Sequence, residues 1–287
     1  MASISDTYLQ LADGNKIPQE GFGTYKVTDP SEMETAIQTA YDTGYRLFDT
    51  AQMYNNEEMI GSALRSLNVA RDKYFVTTKI AESNQGFQPA IDSLKDSLKR
   101  LGMDYVDLIL VHWPVHNKFF DTWRAFEELK KEGLTRSIGV SNYTMAHLEL
   151  LKTQANEMPV LDQIELTPQM QQAPMRRFGQ ENGIVMQAWA PLARGQMMDN
   201  PVLKEIAANH DKTVAQVILR WQLQVGNSFI PKSVHVARIK QNADIFDFEL
   251  TADEMKKIAT LDHYKRVSQE PELVYENDKQ YPHHFKN

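Results

Sequence analysis

The feature of this chain that most restricts its fold is a short apolar segment followed by an amphipathic helix, a unit that recurs along nearly the whole sequence. The apolar segments predict eight strands, at residues 21–25, 46–48, 74–79, 106–112, 137–141, 160–166, 184–190 and 228–232. Strands that alternate with helices pair in parallel, and eight of them suit a closed barrel better than an open sheet. The sequence therefore predicts an α/β fold of the (β/α)8, or TIM-barrel, type.

Capping residues mark the helices between these strands. Asp29 and Pro30 begin the first helix, with Glu32 placed to complete a capping box, and Gly44 ends it. Further helices are predicted over residues 55–67, 89–101 and 121–132, after Thr144, before Gly183, after Asn200, after Thr213, and from His235 and Thr251. Residues 8–11 and 16–18 flank an Asp-Gly turn, which predicts a hairpin at the bottom of the barrel.

Composition excludes several classes of function. The 287 residues include 31 Lys and Arg against 38 Asp and Glu, a formal net charge of −7, and no cysteine. This acidic balance argues against a nucleic-acid partner, and the lack of cysteine excludes disulfides and thiol catalysis. Residues 1–16 lack an apolar signal core and no run reaches membrane-spanning length, so we expect a cytoplasmic protein without a membrane partner.

The domain organisation is expected to be simple. No linker rich in Pro, Gly or Ser interrupts the pattern, which predicts one domain over residues 1–287. The tail over residues 267–287 is too irregular for a helix. Its length is typical of a disordered end or of a loop over the active-site mouth, and we predict the loop.

Four residues with reactive side chains follow three neighbouring strands. Asp49 ends one strand and Tyr54 comes five residues later, whereas Lys79 and His112 end the next two strands. Singly, the aspartate is more often a cap, the tyrosine a packed aromatic and the histidine a structural residue. A buried lysine needs a counter-charge, and Asp49 is the natural one. Because parallel strands end at the same face of a barrel, the set predicts a catalytic centre.

The chemistry open to this set is proton donation to an oxygen atom. A phenol with an ordinary pKa of about 10 is a weak acid at neutral pH, and the Lys79 ammonium is expected to lower the pKa of Tyr54. His112 would hydrogen-bond the substrate oxygen and orient it. No nucleophilic Ser or Cys and no metal cluster presents itself, so the group that attacks the carbon must come from a cofactor.

A cofactor site is indicated where the last strand meets the next helix. Lys232, Ser233 and Arg238 converge on this corner, where barrels commonly bind phosphate. A solvated basic corner is the simpler alternative, because Lys and Arg are usually surface residues. The run Pro-Lys-Ser at residues 231–233, with Arg238 five residues after Ser233, is a more specific signal for a phosphate site than scattered charge. No G-x-G-x-x-G element is present, so an ordinary Rossmann site is not expected.

Three runs of sequence are similar to signatures of the aldo-keto reductases. They are GYRLFDTAQMYNNEEMIG at residues 44–61, LKKEGLTRSIGVSNY at 129–143 and IPKSVHVARIKQN at 230–242. The chain resembles this family from residue 21 to residue 242. It looks closest to the branch of 2,5-diketo-gluconate reductases and prostaglandin F synthase-like enzymes, which carries a tryptophan, here Trp189, where mammalian members carry a tyrosine.

The resemblance implies NADPH-dependent reduction of aldehydes or ketones, such as dicarbonyls or keto-sugars, to alcohols. It implies that Tyr54 is the general acid, tuned by Asp49 and Lys79. His112 would orient the carbonyl group. NADPH would be held by residues along the barrel mouth, namely Gly23, Thr24, Asp49, Ser141, Asn142, Gln163, Trp189, Leu192, Arg194, Lys232, Ser233, Val234, Arg238, Gln241 and Asn242. Phe22, Tyr25, His112, Trp113 and the tail would shape the substrate pocket.

Two residues depart from the family's usual pattern. Asp162 and Thr167 stand where relatives usually carry Asn and His. Neither replaces a catalytic group, so they are expected to affect local packing or pocket polarity. Two other functions stay open: a lyase or aldolase that uses Lys79 as a Schiff base, and a binding or regulatory protein that holds the cofactor without turnover. We expect a monomer, and the sequence does not specify the physiological carbonyl compound.

Overall fold

Eight parallel strands form a barrel in the computed structural model, which describes residues 3–271. They are β3 (Phe22–Gly23), β4 (Leu47–Asp49), β5 (Phe75–Ile80), β6 (Val106–Val111), β7 (Thr135–Ser141), β8 (Leu161–Glu165), β9 (Val185–Trp189) and β10 (Ser228–Ile230), and neighbours in sequence are neighbours in the sheet. The backbone N–H of Gly21 donates to the carbonyl of Phe229 at 2.8 Å, and Gly23 donates to Pro231 at 3.0 Å. These bonds join the first strand to the last and confirm the predicted barrel.

The hairpin lies at the bottom of the barrel, as predicted. Its strands β1 (Tyr8–Gln10) and β2 (Lys16–Pro18) pair antiparallel. In the turn between them, the Asp13 carboxylate accepts a hydrogen bond from Ser137, near the beginning of β7. Ile17 is fully buried among apolar side chains of the barrel strands. The hairpin therefore covers the end of the barrel opposite to the strand ends that carry the reactive side chains.

Ten α-helices surround the barrel within the described residues. They are α1 (Pro30–Thr43), α2 (Glu57–Ser66), α3 (Phe87–Leu101), α4 (Phe119–Lys131), α5 (Met145–Lys152), α6 (Ala173–Asn182), α7 (Pro201–Asn209), α8 (Val214–Gln224), α9 (Val236–Ala243) and α10 (Ala252–Ala259). Apolar faces of the helices pack on the outer face of the sheet and form the larger hydrophobic core. None of the helices in this part of the chain has the length and apolar character needed to span a membrane.

Side-chain caps begin the helices much as the sequence predicts. Asp29 Oδ1 accepts the backbone N–H of Glu32 at 2.8 Å, and Gly44, with φ of 112°, ends α1. The reciprocal bond from the Glu32 side chain is not made, so the predicted capping box is a single cap. Thr213 and Gln216 do form the box predicted for α8. The helix positions are thus specified locally, through the N–H groups left free at each first turn.

Two boundaries differ from the prediction at the mouth of the barrel. Helix α2 begins at Glu57 rather than at Asn55, because Asn55 has a left-handed φ of 52° and follows a short 3₁₀ turn over Gln52–Tyr54. Strand β3 contains only Phe22–Gly23, not residues 21–25. The first difference matters for the site, because it places Tyr54 on a tight turn rather than at a helix start.

Candidate active site

A buried ion pair lies at the mouth end of the barrel interior. Asp49 is the last residue of β4 and Lys79 is the fifth residue of β5; their side chains are 1% and 0% exposed. Lys79 Nζ is 2.5 Å from Asp49 Oδ1 and also donates to the carbonyl of Thr50 at 3.0 Å. Gln163 Nε2, on β8, donates to the other carboxylate oxygen at 2.7 Å. Each charge therefore has two polar partners, which favours an ion pair over two neutral groups.

The Tyr54 hydroxyl completes a chain of three polar groups. Lys79 Nζ lies 3.3 Å from Tyr54 Oη, within hydrogen-bond distance. The Gln52 side chain anchors the turn that carries Tyr54: its Oε1 accepts the backbone N–H of Ala81, and its Nε2 donates to Ser97 Oγ at 3.0 Å. The turn is thus fixed to the end of β5 and to helix α3, which holds the phenol next to the ammonium.

His112 follows β6 and faces the same tyrosine. The two rings meet edge to face, with 5.8 Å between their centroids. Burial, and then the charge of Lys79, holds the pKa of His112 well below its ordinary value of 6.5. The imidazole is therefore neutral at neutral pH. In that state it can hydrogen-bond an oxygen without itself giving up a proton.

The pKa of Tyr54 departs from the prediction. Burial, and then the charge of Asp49, raises this pKa well above its ordinary value of 10.0. Burial also raises the pKa of Asp49 and lowers that of Lys79, with the attraction between the two opposing both shifts. The expected lowering of the pKa by Lys79 is wrong for the resting site, because burial of the phenol and then the charge of Asp49 raise it. The phenol is therefore protonated in the resting site.

A cavity of about 590 Å³ opens above these groups. Tyr25 and Trp113 line it together with Tyr54 and His112, and the Tyr25 and Tyr54 ring centroids are 5.1 Å apart. Phe22 does not reach it. Since adjacent residues of a strand point to opposite faces, Gly23 faces the cavity and Phe22 lies in the core behind β3. The assignment of Phe22 to the substrate pocket is therefore corrected.

A hydrogen-bonded group of amides and one hydroxyl lies beside Asp49. Ser141 Oγ donates to the carbonyl of Gln163 at 2.7 Å. Asn142, whose φ is 62°, donates to the carbonyl of His112 at 3.0 Å and accepts from Trp189 Nε1 at 2.9 Å. All of these residues line the cavity, including Gln163 and His112, whose carbonyl oxygens accept the bonds. The group links β6, β7, β8 and β9, so it fixes the relative positions of the strand ends.

One comparison with known proteins decides the family. A model of the aldo/keto reductase family matches residues 20–263. The chain belongs to the aldo/keto reductase family. This match confirms the predicted resemblance. It also confirms that the chain is an oxidoreductase that acts on carbonyl groups. The narrower placement beside 2,5-diketo-gluconate reductases stays a prediction.

Related proteins align with this aldo/keto reductase along nearly their whole length. Glyoxal reductase of Bacillus subtilis is 44% identical over 274 residues, which are 95% of this chain and 99% of the relative. A crystal structure of an aldo/keto reductase from Brucella melitensis is 47% identical, with a TM-score of 0.85, over 89% of this chain and 99% of that one. An aldo-keto reductase of Bombyx mori, solved in complex with NADP, is 34% identical with a TM-score of 0.88 and covers 93% and 97% of the two chains.

The residues predicted to hold NADPH divide into two groups. Those that line the cavity are Gly23, Asp49, Ser141, Asn142, Gln163, Trp189, Leu192, Arg194 and Lys232. Thr24 lies behind it, fully buried, and its hydroxyl donates to the Asp49 carbonyl at 2.9 Å. Those beyond the cavity lie on the turn before α9 and on α9 itself, namely Ser233, Val234, Arg238, Gln241 and Asn242. The cofactor predicted for this aldo/keto reductase would therefore extend from the cavity onto the outer surface of the barrel.

Some residues of the site were missed by the sequence reasoning. Gln52 positions the Tyr54 turn, and Gln187 accepts a hydrogen bond from Gln163 at 2.7 Å. Lys26 also lines the cavity and was not predicted. Val267, Ser268 and Gln269 line it as well, and they were not missed, because they belong to the tail predicted to cover the mouth. The rest of that tail, from residue 272, lies outside the described residues. Gln187 follows the inward alternation of β9, which could have identified it, whereas no local signal marks Gln52.

Proposed function

We propose that this chain reduces the carbonyl group of small aldehydes and α-dicarbonyl compounds to an alcohol, with Tyr54 as the proton donor and NADPH as the hydride source. The observation that carries the proposal is the chain of contacts from Asp49 through Lys79 to Tyr54 at the base of the cavity. His112 faces the same hydroxyl. A substrate oxygen bound between the phenol and the neutral imidazole would have one proton donor and one orienting group.

The residues account for the proton in the reaction. As the carbonyl π bond breaks, negative charge develops on the substrate oxygen, and the Tyr54 proton moves from Oη to that oxygen. The phenolate left behind lies 3.3 Å from Lys79 Nζ, whose charge stabilises it. Asp49, buried and hydrogen-bonded to Gln163, keeps the ammonium in place. Tyr54 is protonated in the resting enzyme because of its high pKa, so the proton is available at neutral pH.

The residues that line the cavity suit the nicotinamide end of NADPH. When bound there, NADPH would supply the hydride that the carbonyl carbon needs. Gly23 lines the cavity without a side chain, and this lets the first strand approach the last, since a Cβ there would come within 3.1 Å of the Ile230 carbonyl oxygen. Trp189 and Gln163 line the cavity, and the planar nicotinamide ring would lie beside them. Trp189 is the residue proposed to stack on that ring.

The rim of the cavity carries positive charge, which suits the phosphates. Lys26, Arg194 and Lys232 line it. Burial lowers the pKa of Lys232, the carboxylate of Glu32 opposes this shift, and Lys26 adds to it. Two cations near enough to repel one another are stabilised by an anion between them. We assign Lys232, together with Arg238 on α9, to the 2′-phosphate that distinguishes NADPH from NADH.

The proposed substrates are small because aromatic side chains crowd the reacting end of the cavity. Tyr25, Tyr54 and Trp113 surround the position of the carbonyl group. The similarity to the Bacillus subtilis glyoxal reductase supports a dicarbonyl substrate. A Schiff-base lyase is less well supported, because Lys79 Nζ already contacts Asp49, the Thr50 carbonyl and Tyr54. An amine held charged in this way is a poor nucleophile.

Isotope transfer tests the proposed reaction. With NADPH carrying deuterium at both C4 positions and glyoxal as substrate, the alcohol should contain one deuterium on the new carbinol carbon. Borohydride added with substrate in the absence of NADPH should leave Lys79 unmodified. An unlabelled product, or a trapped adduct on Lys79, would contradict the proposal. Tight NADPH binding without turnover of any aldehyde in a panel would instead support a binding protein.

A further inference from the structure

The chain returns to the barrel mouth after its last helix. The backbone N–H groups of His263 and Lys265 both donate to the carbonyl of Gln169, each at 3.1 Å. The next residues, Val267, Ser268 and Gln269, reach the cavity and line it. We name Val267–Gln269 the terminal wall.

One buried carboxylate holds this wall. Glu165 is the last residue of β8 and is 1% exposed. Its Oε1 accepts the backbone N–H of Val267 at 2.5 Å, and its Oε2 accepts the hydroxyl of Ser268 at 2.8 Å. A buried carboxylate is unfavourable unless its oxygens accept hydrogen bonds, and donors to an ionised oxygen bind more strongly than donors to a neutral one. Both oxygens of Glu165 thus take donors from the terminal wall.

The position of Glu165 connects this contact to the reacting groups. Two residues earlier on the same face of β8, Gln163 hydrogen-bonds the Asp49 carboxylate. On the neighbouring strand Glu165 is paired in register with Trp189, which lines the cavity. The strand that orients Asp49 therefore also carries the anchor of the terminal wall. A shift of the wall changes the space near the carbonyl group but not the chain from Asp49 to Tyr54.

We propose that Glu165 is a positioning residue that fixes the terminal wall and thereby sets which substituents on the carbonyl carbon are accepted. The inference rests on the proposed carbonyl reduction. Glu165 does not touch the reacting atoms. With the wall fixed, small carbonyl compounds are held close to Tyr54 and bulky ones are excluded. With the wall released, small compounds lose contacts and bulky ones gain room.

The test compares Glu165→Gln and Ser268→Ala with Glu181→Gln as the control. Glutamine keeps the size of Glu165 but presents an N–H₂ group to one of the two donors, whereas Glu181 is an exposed carboxylate on α6, outside the cavity lining. Hydrogen exchange at the Val267 amide should quicken about tenfold in Glu165→Gln, the effect of losing one charge-assisted bond, and stay at the parent rate in the control. This measurement needs no turnover.

Kinetics provide the second readout. The ratio of kcat/KM for glyoxal to that for 4-nitrobenzaldehyde should fall about tenfold in Glu165→Gln and less in Ser268→Ala, mostly through KM. Exchange at the parent rate, or loss of kcat/KM by the same factor for both substrates, would overturn the role of Glu165. If the parent protein turns over neither aldehyde, the proposed function fails, and the exchange result still decides whether Glu165 fixes the wall.

Discussion

Asp49 and Asp162 are both buried aspartates, and they differ in what surrounds them. Asp49 faces the barrel interior, where Lys79 contacts one oxygen and Gln163 the other. Asp162 precedes Gln163 on β8 and points to the opposite face. Its nearest donor is the backbone N–H of Tyr143, at 3.5 Å from Oδ1, and Oδ2 has no hydrogen-bond partner among residues 3–271.

The difference appears in the charge states. Burial raises the pKa of Asp162 well above its ordinary value of 3.8, with only the Tyr143 amide opposing the shift. Burial also raises the pKa of Asp49, but the Lys79 ammonium and the Gln163 amide oppose that shift. We therefore expect Asp162 to keep its proton to a higher pH than an ordinary aspartate, and Asp49 to be the charged partner of Lys79. Burial alone therefore does not distinguish the proposed catalytic carboxylate from the other one. The distinguishing feature is a cation that pairs with the carboxylate and also contacts the proposed proton donor.

The largest effect is expected from removing the cation beside Asp49. Lys79→Met should reduce kcat by at least a thousandfold, because the phenolate loses its stabilising charge. It should also lower the free energy of unfolding by about 3–5 kcal/mol, since Asp49 would be buried without its partner. Urea unfolding monitored by tryptophan fluorescence measures the loss. The double variant Asp49→Asn with Lys79→Met should regain much of the stability but none of the turnover. A double variant no more stable than Lys79→Met would contradict the assigned ion pair.

The next effect concerns Asp162. Its folded-state pKa is raised, so the folded protein binds the proton more tightly than the unfolded chain. The stability that this proton contributes is complete below the ordinary pKa of 3.8 and is lost as pH rises toward the folded pKa. Asp162→Asn removes the titration. As pH rises above 3.8, the free energy of unfolding of the parent protein should fall more steeply than that of this variant, by at most about 1.4 kcal/mol per pH unit. Parallel pH profiles of unfolding free energy in the two proteins would show that Asp162 is ionised in the folded state.

A smaller effect is expected at the exposed cation Lys232, which contrasts with the buried Lys79. Lys232→Ala should weaken the binding of NADPH by about tenfold to a hundredfold, the effect of losing one charge-assisted phosphate contact. The dissociation constant of NADH should stay within about twofold of the parent value. Lys240→Ala is the matched control, because Lys240 lies nearby on α9 but does not line the cavity. Fluorescence titration of the parent and both variants with each nucleotide measures the six dissociation constants. Equal losses for NADPH and NADH would remove Lys232 from the 2′-phosphate.

The elements and the four reactive side chains were predictable because they depend on local signals. Caps such as Asp29 and the alternation of apolar strands with helices specify where each strand ends, and the strand ends bring Asp49, Lys79 and His112 together. The direction of Phe22 was not predictable. In a two-residue strand nothing in the sequence establishes which residue faces the interior.

The remaining features depend on contacts between distant residues. The pKa of Tyr54 follows from its burial and from the distance to Asp49, neither of which spacing in the sequence provides. Glu165 meets Val267 across 102 positions of the chain, so no local pattern announces the anchor of the terminal wall. The sequence therefore predicted which side chains lie together better than it predicted their protonation states or the wall around them.

The most direct measurement is the single-turnover rate of NADPH oxidation by Tyr54→Phe with glyoxal, compared with Tyr25→Phe, which alters the neighbouring ring of the same cavity. The account predicts about a thousandfold slower hydride transfer in Tyr54→Phe, with the NADPH dissociation constant within about twofold of the parent value. Tyr25→Phe should change KM more than the rate. A Tyr54→Phe protein that binds NADPH normally and reduces glyoxal at the parent rate would contradict the assignment of Tyr54 as the acid.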